Sequence, residues 1–161
     1  MNYTKSGIKL MSTVVLVALM LFFSFSQYGV ASVDAKPVEV VSHKSFDQTV
    51  NKVKALVSEN GMMVMGEINQ GKMLSMTGLN IKGISLLVGN PTVGNKVFSV
   101  DPAAGLAIPV RLYIFENKAN KVIISYYKPS DLLSQYHDPK IEKIGKMLDN
   151  KLEKLTTMAS K

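Results

Sequence analysis

Five methionines lie within a fifteen-residue segment of this 161-residue chain: Met62, Met63, Met65, Met73 and Met76. Soft thioether ligands select Cu(I), and such a site needs two or three sulfurs that converge. Met73 and Met76 are three residues apart and share a face if their segment is helical. Met63 and Met65 share a face if their segment is a strand. These four methionines, Met63, Met65, Met73 and Met76, form the alternative of a copper site.

Core packing explains the same methionines without a metal. Methionine fills irregular gaps in protein interiors, and alternation along a strand sends Met62 to the face opposite Met63 and Met65. We expect Met63 and Met65 to be buried against Leu86, Val88 and the first helix. Packing is the favoured interpretation, so no metal site and no cofactor are predicted.

The chain lacks residues that several common catalytic centres require. The chain has no cysteine, which excludes disulfides and thiolate sites, and its two histidines, His43 and His137, are too few for a three-histidine zinc site. The segment Gly89–Lys96 has phosphate-loop glycines, but Val97 stands where the magnesium-binding hydroxyl is needed. No catalytic residue is therefore assigned.

A ligand-binding cleft is predicted near Gly89-Asn90-Pro91, where a buried strand ends and backbone amides are expected to be free. Its expected binding residues are Asn90, Lys96, Tyr126 and His137. A binding or accessory module is the favoured function. A cofactor-free enzyme that uses Lys96, Tyr126 and His137 is the alternative, because these are the polar groups able to react.

Apolar spacing predicts the elements that position these residues. The predicted strands are Val38–Ser42, Met62–Ile68, Ile84–Val88, Val110–Phe115 and Val122–Tyr127. The first helix follows a capping box of Ser45 and Gln48 and ends at Asn60-Gly61. Short helices are expected over residues 72–77 and 92–100 and from Pro129 to His137. Pro139 opens a long basic amphipathic helix, which we expect to pack on the sheet or on a second copy; binding to a membrane surface is the alternative. This order predicts an α+β two-layer sandwich, with a mainly antiparallel sheet and helices on one side.

The residue pattern of the N-terminal segment predicts export from the cytoplasm. Lys5 and Lys9 precede an apolar stretch, and residues 10–33 carry no charge. Small residues follow, which is typical of a signal peptide cleaved near Ala35; an uncleaved anchor over residues 10–33 is the alternative. The expected domains are a signal segment, 1–35, and a single folded domain, 36–161. We expect a periplasmic or secreted protein whose membrane contact would be limited to that segment.

The formal net charge of +7 favours anionic surfaces, but Arg111 is the sole arginine. Specific nucleic-acid readout depends on arginine forks, so no nucleic-acid partner is predicted. The expected partner is an unidentified small ligand or a component of the cell envelope.

Several motifs together resemble those of the DUF 302 family (domain of unknown function 302). The resemblance covers Phe46 to His137 and rests on Leu87-Val-Gly-Asn-Pro91, Asp101-Pro-Ala-Ala-Gly-Leu106 and Ile108-Pro109-Val-Arg111. It implies a compact two-layer α/β fold and a homodimer, with no established activity. Where relatives have an Asp-His pair this chain has Asn69-Gln70, which removes a titratable group that could bind a metal.

Overall fold

Five strands form one antiparallel sheet in the order β1-β5-β4-β3-β2. The structure is a computed structural model and describes residues 35–161. The strands are β1 (Val38–Ser42), β2 (Met63–Ile68), β3 (Gly83–Gly89), β4 (Val110–Glu116) and β5 (Val122–Tyr126). All five lie where the alternation and apolar runs of the sequence predict them, to within two residues.

The helices are α1 (Phe46–Glu59), α2 (Gln70–Ser75), α3 (Pro91–Phe98), α4 (Pro129–Leu133) and α5 (Pro139–Ser160), with 3₁₀ turns at Pro102–Leu106 and Ser134–Tyr136. The predicted α+β class and long C-terminal helix are confirmed. Within residues 35–161, no helix is both long and apolar enough to cross a membrane. The predicted signal segment, 1–35, and the alternative anchor, 10–33, lie outside the described part of the chain except for Ala35.

Side-chain caps set the ends of the helices. The Ser45 hydroxyl accepts a hydrogen bond from the Gln48 amide at 3.4 Å, and the Gln48 side chain accepts one from the Ser45 amide at 3.1 Å. This capping box starts α1 as predicted. The helix ends at Asn60, and Gly61 follows with a φ of +67°, which glycine adopts without steric cost. Helix α2 begins two residues earlier than predicted, and Asn69 caps it by accepting a hydrogen bond from the Lys72 amide through its side-chain oxygen.

One face of the sheet carries the hydrophobic core. Leu86 of β3 pairs with Leu112 of β4, Ile114 of β4 pairs with Ile124 of β5, and all four side chains are fully buried. Helices α1 and α5 cover this face with two apolar stripes, which are Val50, Val53, Leu56 and Val57 from α1 and Ile141, Leu152, Leu155 and Ala159 from α5. The long helix therefore packs on its own sheet through the stripe that its sequence predicts.

A β-bulge in β2 changes which side of that strand faces the core. Val64 pairs with Val88 and Gly66 pairs with Leu87, so Met65 is an extra residue between them. Glu67, which pairs with Leu86, forms a salt bridge with Lys54 of α1.

The expectation that Met63 and Met65 are buried is therefore wrong. Their side chains are 52% and 54% exposed, whereas Met62, just before the strand, is 6% exposed. The predicted alternation within β2 is correct for Met63, but the strand presents that residue to the face away from α1, and the bulge displaces Met65.

Candidate functional site

Asn90 organises the point at which β3 ends and α3 begins. Its side-chain oxygen accepts hydrogen bonds from the amides of Thr92 at 2.8 Å and Val93 at 3.1 Å. Its side-chain nitrogen donates to the carbonyl oxygen of Gly61 at 2.6 Å. Both ends of the Asn90 amide are used, so this residue caps α3 and holds it against the end of α1.

The backbone amides of this turn are not free for a ligand, contrary to the sequence-based expectation. Those of Thr92 and Val93 bind the Asn90 side chain, and that of Gly94 donates to the Asn90 carbonyl at 2.9 Å. Pro91 has no amide hydrogen. An anion therefore finds no open donor among these first residues of α3, which agrees with the rejection of a phosphate loop.

A cavity of about 160 Å³ lies beside this turn. It is partly open to solvent and is lined by the end of β3, by α3, by the segment before β4 and by α5. Its lining residues are Met62, Met65, Val88, Gly89, Asn90, Pro91, Val93, Gly94, Asn95, Phe98, Ile108, Pro109, Val110, Met147, Leu148, Lys151 and Leu152. An apolar cavity of this size, about that of an engineered 150 Å³ cavity, can hold a benzene-sized group.

Methionine and glycine residues shape this cavity. Met62, Met65 and Met147 contribute flexible side chains, which adapt to the outline of an apolar ligand. A Cβ atom at Gly89 would lie 2.7 Å from the Met65 sulfur and 3.4 Å from the Pro109 Cβ. The absence of a side chain at Gly89 therefore gives Met65 and Pro109 their space in the cavity wall.

Lys151 is the sole ionisable residue among those that line the cavity. Its side chain is half-buried, and its ammonium donates a hydrogen bond to the carbonyl oxygen of Asn60 at 2.9 Å. Asn60 ends α1, where the helix dipole is negative and favours a cation. The turn Asn60-Gly61 thus accepts hydrogen bonds from two lining residues, Lys151 and Asn90.

The four ligand-binding residues predicted from the sequence do not converge on this cavity. Asn90 lines it, but Lys96, Tyr126 and His137 are not among its lining residues. Lys96 is an exposed residue of α3, and His137 is exposed in the left-handed region just before α5. The buried side chain of Tyr126 on β5 faces α5, and burial raises the pKa of its hydroxyl.

The four methionines of the copper alternative do not meet in this cavity either. Met73 and Met76 are 60% and 87% exposed, and of the four predicted ligands only Met65 lines the cavity. Met62 and Met147, the other two methionines there, were missed as site residues. The sequence signal for Met147 is its place beside Leu148 on the amphipathic helix, but nothing in the sequence indicates which part of the sheet that helix crosses. No group of three histidine, cysteine or acidic residues suited to a metal occurs between residues 35 and 161.

A family model described as "Domain of unknown function DUF302" matches residues 38–159. The match confirms the resemblance seen in the sequence and extends it beyond both Phe46 and His137. The crystal structure of an uncharacterized conserved DUF302 protein from Bacillus stearothermophilus has the same fold, with a TM-score of 0.71 and 18% identity over 78% of this chain and 98% of that one.

Two curated relatives are fluoride-specific ion channels. The chain is 28% identical over 106 residues to FluC 1 of Brucella suis biovar 1 and to FluC 2 of Brucella melitensis biotype 1. The aligned region covers 65% of this chain but 41% and 39% of those proteins. The chain thus spans about two fifths of the length of these relatives.

Proposed function

Because the chain belongs to the DUF302 family, whose description states no function, we propose from the site itself that it binds a small apolar molecule in the cavity between α3 and α5. The observation that carries this proposal is the apolar lining, in which Met62, Phe98 and Met147 surround a space of about 160 Å³. Ligand sites are typically concave, mostly apolar and supplied with few polar groups.

The polar groups at this site favour binding over catalysis. Asn90 already uses both ends of its side-chain amide within the protein. The groups that could react, Lys96, Tyr126 and His137, are not lining residues. A catalytic group must come within hydrogen-bonding reach of the reacting atoms, and the cavity lining contains one ionisable residue, Lys151. A binding module is therefore the function that the geometry supports best.

Amide NMR spectra of residues 36–161 titrated with hexanol test this proposal. We expect saturable shifts that concentrate on the amides of Gly89, Gly94 and Met147, which lie in the cavity wall. The amides of Val41 and Ile123, on the sheet face away from α1 and α5, serve as internal controls. Shifts that do not saturate, or that are equally large at the control amides, would contradict binding in the cavity.

Export from the cytoplasm is part of the proposal. It is supported by the basic, apolar and small-residue order of residues 1–35. Fractionation of the native cells, followed by N-terminal sequencing of the protein, tests it. We expect the protein outside the cytoplasm with a new N-terminus near Ala35; an intact Met1 in the envelope fraction would indicate the anchor alternative, and recovery from the cytoplasm would contradict export.

A second candidate is an accessory module that acts with a membrane protein. It is favoured by the relatives named as fluoride-specific ion channels, in which the region similar to this chain is about two fifths of the length. Exposed apolar side chains at Val41, Met63 and Ile68, on the face of the sheet away from α1 and α5, offer a contact surface. Deletion of the protein should then increase the sensitivity of its cells to fluoride, and unchanged tolerance would contradict a fluoride-related role.

A further inference from the structure

We propose that the ligand of this cavity is an anionic amphiphile, whose apolar tail fills the cavity and whose carboxylate pairs with the Lys151 ammonium. This inference rests on the proposed function and specifies the chemical class of the ligand. It follows from the charges around the cavity, from the hydrogen bonds already made there, and from the size of the space.

The residues that line the cavity carry a single charge, and it is positive. Seventeen residues line it, and Lys151 is the one that ionises, so no carboxylate opposes an acidic ligand there. The acids nearest to Lys151 along α5 are Asp149 and Glu153, each two positions away, and residues so spaced do not share a helix face. Asp149 also accepts a hydrogen bond from the Ser130 amide at 3.0 Å. The net charge of +7 adds to the attraction of an anion.

The Lys151 ammonium has hydrogen-bonding capacity to spare. Its three N–H donors meet one acceptor, the Asn60 carbonyl oxygen at 2.9 Å, and the salt bridges of residues 35–161 do not include it. Lys151 is a half-buried residue, and its ammonium is held at one point while its other two donors have no partner among the hydrogen bonds of residues 35–161. A carboxylate that binds them forms charge-assisted hydrogen bonds, which are stronger than bonds to a neutral alcohol.

The other polar residues of the lining do not offer an equivalent partner. Asn90 is neutral, and its side-chain oxygen and one of its two N–H donors already bind within the protein, while Asn95 is neutral and largely exposed on α3. A cationic head group would be repelled by Lys151, and a neutral head group would gain no ionic attraction. The cavity of about 160 Å³ suits a benzene-sized ring or a short alkyl chain of similar volume. Short-chain or aromatic carboxylates fit both conditions.

Calorimetric titration with three six-carbon compounds separates this inference from the proposed function. Hexanoate, hexanol and hexylammonium have the same tail and differ in head group. We expect hexanoate to bind about three- to tenfold more tightly than hexanol at low salt, and hexylammonium to bind most weakly. Equal affinity for hexanoate and hexanol would overturn the anionic preference and leave apolar binding intact. If neither compound binds saturably, the proposed function and this inference both fail.

Two variants attribute the preference to Lys151. In Lys151→Met, the ratio of hexanoate affinity to hexanol affinity should fall to about one, because the variant has no ammonium to pair with the carboxylate. Lys154→Met is the matched control, since Lys154 is an exposed residue of the same helix and lies outside the cavity lining; its preference should be unchanged. Survival of the preference in Lys151→Met would overturn the inference. If Lys151→Met does not fold, the wild-type preference for hexanoate should still fall as sodium chloride is raised, and a preference that is independent of salt would overturn it equally.

Discussion

The Lys151 ammonium hydrogen-bonds to the carbonyl oxygen of Asn60 at 2.9 Å, across 91 positions of sequence. This contact joins the middle of α5 to the end of α1. It places the one charged group of the cavity wall next to the turn that also anchors Asn90. The turn Asn60-Gly61 therefore holds both Asn90, which caps α3, and Lys151, which lines the cavity.

Loss of this contact should destabilise the fold modestly. Lys151→Met keeps the aliphatic stem but removes the donor, so we expect a loss of about 0.5–1.5 kcal/mol in the free energy of unfolding, as for a typical hydrogen bond. Lys154→Met, on the exposed side of α5, should change it by less than about 0.5 kcal/mol. Urea denaturation monitored by circular dichroism measures both, and equal effects would contradict a specific role for the Lys151 contact.

Asn90 should contribute more to the free energy of unfolding than Lys151 does, because it caps α3 and also binds the Gly61 carbonyl. Asn90→Ala removes both interactions, and we expect a loss of about 1–2 kcal/mol. Asn90→Asp keeps the cap acceptor but loses the donor to Gly61, so its stability should be intermediate. Asn95→Ala is the control on the same helix. A cost for Asn90→Ala no greater than that of the control, in the same denaturation experiment, would refute the capping role.

Met62 and Met63 test which side chains at the start of β2 face the core. Met62 is 6% exposed, so Met62→Ala should cost about 2–5 kcal/mol through lost burial and a cavity. Met63 is 52% exposed, so Met63→Ala should cost less than about 1 kcal/mol. Thermal unfolding of both variants ranks them. A larger effect at Met63 than at Met62 would show that the strand presents the opposite face to the core.

Tyr126 should make stability decline at alkaline pH. Burial raises the pKa of its hydroxyl above the unfolded value of about 10, so the folded state keeps this proton when the unfolded state has lost it. The stabilisation linked to that proton is fully present below pH 10 and is lost as pH rises through the folded pKa. The free energy of unfolding of the wild type should therefore fall relative to that of Tyr126→Phe from pH 9 to pH 11. A difference that stays constant over this range would contradict the assignment.

Much of the fold could be predicted because its determinants are local. Ser45 and Gln48 form a capping box within four residues, and the apolar stripe of α5 repeats at helical spacing. Such signals are complete within one element and do not depend on the rest of the chain. They were sufficient to place every strand, the long helices and the α+β class.

The site could be predicted only in part, because it depends on contacts between distant segments. Asn90 was identified from the break at Gly89-Asn90-Pro91, a local signal. Lys151 and Met147 enter the same cavity through the packing of α5 across the sheet, which no spacing reveals. The exposure of Met65 follows from a bulge, where one extra residue interrupts the period of two that the prediction assumed.

The central claim is that a small molecule binds in this cavity, and a single substitution that fills the cavity tests it most directly. Met147 and Met158 are exposed residues of α5, but only Met147 lines the cavity. Tryptophan at position 147 should fill the space, and tryptophan at position 158 should leave it open. We predict that Met147→Trp weakens hexanoate binding at least tenfold by calorimetry, while Met158→Trp binds as the wild type does. Equal hexanoate affinity in both variants would contradict binding in this cavity.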